Sequence, residues 1–378
     1  MASVTKIHFS REELNKLLLT NEARITNVKH LSSYNWIERP TPTIAIPGCP
    51  ALWAPPNNPR KLKPDSGRVF VAQNAARHPS SPVEPLFRAL YTTDPSFDLS
   101  KVDIVSDRNN LRKLYAFVNP SSQKSGREPF SIQVELIGDT VVLCRSDVAV
   151  QQYIKLGQFC GYGHEFEKNY TKQQLPNSTG HHRIISYQFS DLRLVIRHET
   201  DGYVDDAIET TARSEGDNSL ADVMDKLSLT SNEIKHPGSK LTIQQKGQYV
   251  PLESTLEIKT RTARKPLRVA EVALQLWISQ TPKLVRAYHT DGVFPTSQVE
   301  DMVSTIKDWE TTRQNDLKKL GAVLKWSIAA AKQCGGKAWI KYDKEADALV
   351  VSQSNAKNMF PSDLYTKWGA SKAGQGQR

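Results

Sequence analysis

Two short runs in which charge alternates with apolar residues constrain this chain more than anything else in it. In the later run, Ser254–Arg261 (STLEIKTR), Glu257 and Lys259 flank Ile258; in the earlier, RHETDGY (197–203), Glu199 and Asp201 flank Thr200. Period-two alternation is the signature of a strand, and side chains two apart on a strand share a face at roughly 6–7 Å. Two such strands side by side would gather three carboxylates and one ammonium on one surface. Buried charge of that density is costly unless compensated, and a divalent cation is the usual compensation. The pattern points to a metal-dependent hydrolase of phosphate esters.

The rest of the composition narrows the setting. A chain of 378 residues, 38% hydrophobic and 24% charged, has the make-up of a folded protein of one large domain or two ordinary ones. No run approaches the ~18 apolar residues of a membrane span, and the amino terminus lacks the apolar core of a signal peptide. Cys49, Cys144, Cys160 and Cys334 are scattered without a Cys-x-x-Cys pair, which fits a reducing compartment and argues against a zinc site. The net charge of +10 favours a polyanionic partner, with RNA or DNA first and no membrane. Neither a Gly-x-Ser-x-Gly elbow nor a P-loop is present, so serine-hydrolase and NTPase chemistries have no anchor.

Read in order, Ser10-x-x-Glu13 is a capping box that opens a helix to about Leu19. Eight prolines in residues 40–64 predict an extended arm laid over the body, not a central strand. A helix is expected near Val83–Tyr91. Another is expected over 106–118, where Leu111, Leu114 and Phe117 have helical spacing and Arg108 sits at the start. Phe130–Leu136 and Val141–Cys144 read as a hairpin around Gly138-Asp139. FCGYGHEFEKNY (159–170) reads as a glycine-containing turn entering acidic residues. Arg183–Phe189 and Leu192–Asp201 form a strand pair, and 205–240 a polar inserted loop with a short helix near Ser219–Leu227. RVAEVALQLWISQ places Val269, Ala273, Leu276 and Gln280 near one helical stripe. Ser297-x-x-Glu300 reads as the cap of a long helix, and the last residues, GASKAGQGQR, as a disordered tail.

An acid on one strand, Glu-x-Lys on the next and a glutamine-bearing helix resemble the restriction-endonuclease-like nucleases. More narrowly, the sequence resembles the DXO-type decapping nucleases, RNA 5′-end quality-control enzymes that remove incomplete caps. Arg108 in RNNLRKL matches the arginine that contacts RNA 5′ phosphates. GHEFE (163–167) matches a Gly-Φ-x-Φ-Glu motif (Φ apolar), which makes Glu167 the candidate acid, although Gly161–Glu165 has nearly the same spacing. Glu199-Thr200-Asp201 and Glu257-Ile258-Lys259 match the next two motifs, and LWISQTPKLV the last, with Gln280 as the substrate-side amide. Thr200 stands where the family has an apolar residue, and the stretch between Asp201 and Glu257 is longer than usual.

The resemblance implies an α+β fold over residues 1–360, with a mixed central sheet, a second smaller sheet and flanking helices, followed by a tail at 361–378. It implies Mg²⁺ or Mn²⁺ held by Glu199, Asp201, Glu257 and the Ile258 carbonyl, with Glu167 nearby, Lys259 on the water or phosphate, and Arg108 and Gln280 on the RNA. The implied activities are removal of triphosphate, incomplete or NAD caps and 5′→3′ exonucleolysis, in the nucleus or cytoplasm. A nuclear 5′→3′ exoribonuclease is left open as a protein partner. A nuclease acting on DNA ends and a non-catalytic RNA-binding member are the competing readings.

Overall fold

The computed structural model describes residues 6–19, 21–123, 126–155, 157–159, 161–205 and 233–373. Among them, twelve strands form one mixed sheet. Its middle runs through Ser131–Ile137, Thr140–Ser146, Ile104–Asp107, Leu192–Thr200, Ser178–Phe189, Ile25–Ile37 and Thr43–Gly48. The strand Ile104–Asp107 is parallel to both of its neighbours. The sheet is buried on both faces, which follows from the alternation along Leu192–Thr200. Leu194 and Ile196 pack with Leu114, Leu320 and Leu324 of the helices Arg108–Val118 and Gln314–Gln333. Val195, one residue out of phase, packs on the opposite face with Leu86 and Phe87 of the helix Glu84–Thr93.

A second sheet of six short strands has Thr255–Thr262 near its centre, parallel to Lys283–His289 and antiparallel to Gly202–Tyr203. Its own core is small: Ile258 and Val285 meet Phe166 and Tyr170, whose rings stack 3.9 Å apart. The architecture is the expected α+β class, a large mixed sheet and a smaller second sheet with helices around them. No helix among the described residues is long and apolar enough to cross a membrane.

Four expectations are corrected. Thr43–Gly48 is not an arm; it pairs on both sides, antiparallel to Ile25–Ile37 and parallel to Thr242–Gly247. The prolines stand at 40, 42, 47 and 50, so Thr43–Ile46 keeps every backbone donor and forms the ladder. The stretch 159–170 is not only a turn: Gly163–Tyr170 is a helix, with Phe166 and Tyr170 fixing its buried side. Ser297-x-x-Glu300 caps nothing, because Val299–Asp301 is a strand on Lys283–Val285 and Glu300 takes both arms of Arg286; the helix starts at Val303. The end of the chain carries a helix, Ser362–Ala373, seated on Glu84–Thr93: Trp368 meets Phe87 at 5.0 Å between ring centroids, and Asp363 takes the buried Arg88 at 2.6 Å. Residues 374–378, the expected helix at 219–227 and Cys160 lie outside the described residues.

The amino-terminal capping box is present, though its helix is shorter than expected, Arg11–Lys16. Ser10 Oγ accepts from the Glu13 N–H at 3.1 Å, and the Glu13 carboxylate accepts from the Ser10 N–H at 2.7 Å. Ser10→Ala is expected to cost about 1 kcal/mol in urea unfolding, the usual loss for a capping side chain.

Candidate active site

The strand Leu192–Thr200 ends its ladder in the large sheet at Thr200, and two residues later the chain pairs in the second sheet, Gly202 opposite Leu256. Asp201 is the link. Glu199 and Glu257 therefore hang from different sheets, not from adjacent strands of one ladder as the spacing alone implied. The crossing is tight: a Cβ on Gly202 would stand 3.0 Å from the Ala51 carbonyl oxygen. The Ile258 N–H donates to Asp201 Oδ2 at 2.8 Å, which fixes that carboxylate beside Glu257.

Glu257 is the centre of the cluster and is buried. Its Oε1 accepts from Lys259 Nζ and from Gln275 Nε2, and Arg108 Nη1 lies 3.4 Å from Oε2. Lys259 Nζ also reaches the Ile258 carbonyl at 3.2 Å and stands 3.9 Å from Asp201 Oδ2. Burial pushes the Glu257 carboxyl up, but the charges of Lys259 and Arg108 outweigh it and hold it below the usual range. Asp201 goes the other way, to about 8, through burial and the neighbouring Glu257 charge. Burial, and then Asp201, push Glu167 well above the ordinary range. Glu199 is exposed to the cavity, and the protein around it raises its carboxyl by desolvation against the pull of Arg108.

The acids face a cavity of about 600 Å³. Its lining includes Glu167, Glu199 and Asp201 together with Arg68, Arg108, Arg112 and Arg145. A two-stranded ribbon, Gly67–Phe70 against Gln151–Ile154, forms part of the wall. Acids and arginines on one cavity suit a ligand that is itself an anion and arrives with a cation, as phosphate esters do.

The structure brings together Arg108, Glu167, Glu199, Asp201, Glu257 and Lys259. Of the two second-motif acids, Glu167 lines the cavity, whereas Glu165 lies toward Lys168 at 3.8 Å and its N–H is held by Asp65. Gln280 is not brought in. It ends the helix Ala273–Ser279 in the left-handed conformation, and its amide donates to the Trp277 carbonyl of that helix. The amide at the acids is Gln275. Its sequence signal is its being the one amide in ALQLWIS, a helix whose other residues are almost all buried.

Among the described residues no three acid, histidine or cysteine side chains converge closely enough, as they stand, to ligate an ion. The ammonium of Lys259 takes the place of positive charge between Glu257 and Asp201. The donor chemistry nevertheless fits a hard divalent cation: carboxylate and carbonyl oxygens only, with Asp201 and Glu167 raised by burial and by the neighbouring acids.

A family model described as a domain of unknown function (DUF8563) matches residues 19–368. No curated protein matches the chain. Among solved structures, Candida albicans Rai1 in complex with pU5–Mn²⁺ has a TM-score of 0.60 at 12% identity, over 97% of this chain and 99% of that one. S. pombe Rai1 in complex with 3′-FADP gives 0.58 at 12%, over 93% and 100%. K. lactis Dxo1 in complex with manganese gives 0.51 at 11%, over 94% and 100%. At these identities the likeness is one of fold, and it extends over nearly the whole chain: this is the fold of the DXO-type decapping nucleases.

Proposed function

The chain belongs to the DUF8563 family of domains of unknown function, and we propose that it is a divalent-metal-dependent hydrolase of RNA 5′ ends. The observation that carries the reading is the convergence of Glu199, Asp201, Glu257 and Lys259, from two sheets, beside a cavity that Arg68, Arg108, Arg112 and Arg145 also line. Structures of the same fold bound to pU5–Mn²⁺ and to 3′-FADP support an RNA 5′ terminus or a cap-like dinucleotide as substrate. On this reading Glu199, Asp201, Glu257 and the Ile258 carbonyl would hold Mg²⁺ or Mn²⁺. Such an ion lends charge to the scissile phosphate and acidity to the attacking water.

The chain's own residues supply the rest. Arg108, at the first turn of its helix, would hold the phosphate against the acids. Lys259 would place a point charge at the water or at the developing phosphorane once released from Glu257. Glu167, raised well above its ordinary range by burial, would hold a proton at the cavity wall. Gln275 takes the substrate-side position expected for Gln280. Removal of triphosphate, incomplete and NAD caps, 5′→3′ exonucleolysis and a nuclear or cytoplasmic site of action belong to the same proposal.

The test is incubation with triphosphate, unmethylated-cap, methylated-cap and NAD-cap RNAs, with Mg²⁺ or Mn²⁺ and with EDTA, and resolution of the products. Metal-dependent release from at least one RNA, and none from DNA of matched length, is expected. Failure to release from every RNA end would remove the proposal, and equal action on DNA would move it to the DNA-end nucleases.

A further inference from the structure

The arginines that line the cavity differ in how they are partnered. Arg108 and Arg112 are four residues apart on one helix and so share a face, about 6 Å along the axis. Arg145, from the strand Thr140–Ser146, lines the same cavity. Arg145 and Lys113 both lean on one acid, Asp147, while Arg108 leans on Glu257. Arg112 has no carboxylate within ion-pair distance among the described residues. Its one side-chain acceptor is Gln123 Oε1 at 3.3 Å. Burial, and then the like charge of Arg108, pull its guanidinium below the ordinary range. A half-buried guanidinium without a counter-charge, beside a like charge, raises the energy of the empty site and is relieved by an anion.

Arg112 also faces a second, smaller cavity of about 130 Å³, lined by Gln123, Arg268, Gln275 and Arg313. Its one acid, Glu271, is occupied by Arg261 and by the N–H of Arg268. Arg112 lines both spaces, so they meet at its side chain, and Gln275 of the smaller one donates to Glu257.

We infer that Arg112, backed by Arg145, holds the next phosphodiester of an RNA chain whose reacting phosphate sits at Arg108, and that the second cavity leads the strand away from the acids. One helical turn between the two guanidiniums is of the order of the step between neighbouring phosphates in an extended strand. The inference rests on the RNA reading above and adds a grip on the body of the chain. Arg112 is a positioning residue: it touches no reacting atom.

Binding of two probes with Ca²⁺ in place of the active metal tests it: uridine 5′-monophosphate, which has only the reacting phosphate, and 5′-phosphorylated pentauridylate, which has the next ones. For Arg112→Gln the pentamer Kd is expected to rise about tenfold, and its log–log salt slope to shrink by about 0.7, the change for one phosphate no longer neutralised by the protein. The monophosphate Kd should change by less than twofold, and Tm should stay level or rise, since a like charge has been removed. Unchanged pentamer binding, an equal loss for both probes, or a lowered Tm would each overturn the inference while leaving the hydrolase reading in place. A wild-type protein that binds neither probe would overturn both.

Discussion

Glu257→Gln is expected to reduce metal-dependent release from RNA 5′ ends by about three orders of magnitude or more. Glutamine keeps the shape of the side chain, so what is removed is a charge. Among the acids of the cluster it is the one held below its ordinary range, because Lys259 and Arg108 outweigh its burial. The acids that remain, Glu167, Glu199 and Asp201, are all raised and so bind a cation less readily. The fold should survive: relief of the repulsion that raises Asp201 offsets part of the counter-charge taken from Lys259 and Arg108. Thermal unfolding separates the two effects. At a Mn²⁺ concentration a hundredfold above Kd the parent should gain about 2.7 kcal/mol, and the variant next to nothing. If the variant hydrolyses as fast as the parent, the acids assigned to the cation are the wrong ones.

Asp107→Ala is expected to cost about 3–5 kcal/mol of stability, more than any other surface-accessible side chain near the site. Arg197 is 1% exposed, and its Nε and Nη2 donate to the two Asp107 oxygens at 2.6 and 3.0 Å. The remaining acceptors, the Pro82 carbonyl at 2.9 Å and the Tyr34 hydroxyl at 3.2 Å, are neutral. Alanine would leave a guanidinium enclosed without a counter-ion. Asp107→Asn, which keeps one acceptor but not the charge, should fall between alanine and parent. Urea unfolding measures all three; an alanine variant with the parent's midpoint would mean that Arg197 needs no acid. Asp107 also precedes the helix that carries Arg108, so the same substitution should loosen the arginines that line the cavity.

Much of the site was legible because strands declare their faces. Glu257 and Lys259 are two apart on a strand with Leu256 and Ile258 buried between and beside them, and period two leaves no other arrangement. Arg108 was legible from Leu111, Leu114 and Phe117, which fix the helix that it begins. What the pattern could not carry was partnership between strands. Glu199-Thr200-Asp201 reads as one continuous strand, yet Gly202 hands the chain to a second sheet, and nothing local says which ladder a strand joins. Gln280 was misplaced for a related reason. The stripe from Val269 assumes one helix, whereas a 3₁₀ turn at Val269–Glu271 precedes Ala273–Ser279 and a left-handed residue ends it, so the phase that favoured Gln280 never runs through. Proline counting failed at Thr43–Ile46 because it weighs a window, while a ladder needs only four free donors in a row.

The passage from one sheet to the other at Asp201 makes the spacing of the acids a property of architecture instead of rotamers. Glu199 moves with one ladder and Glu257 with the other, so the gap between them follows the seam where Gly202 rests on the Ala51 carbonyl. An engineer seeking to retune the preferred ionic radius could therefore leave every ligand untouched and work on that seam, where a methyl group added at Gly202 would press on the Ala51 carbonyl.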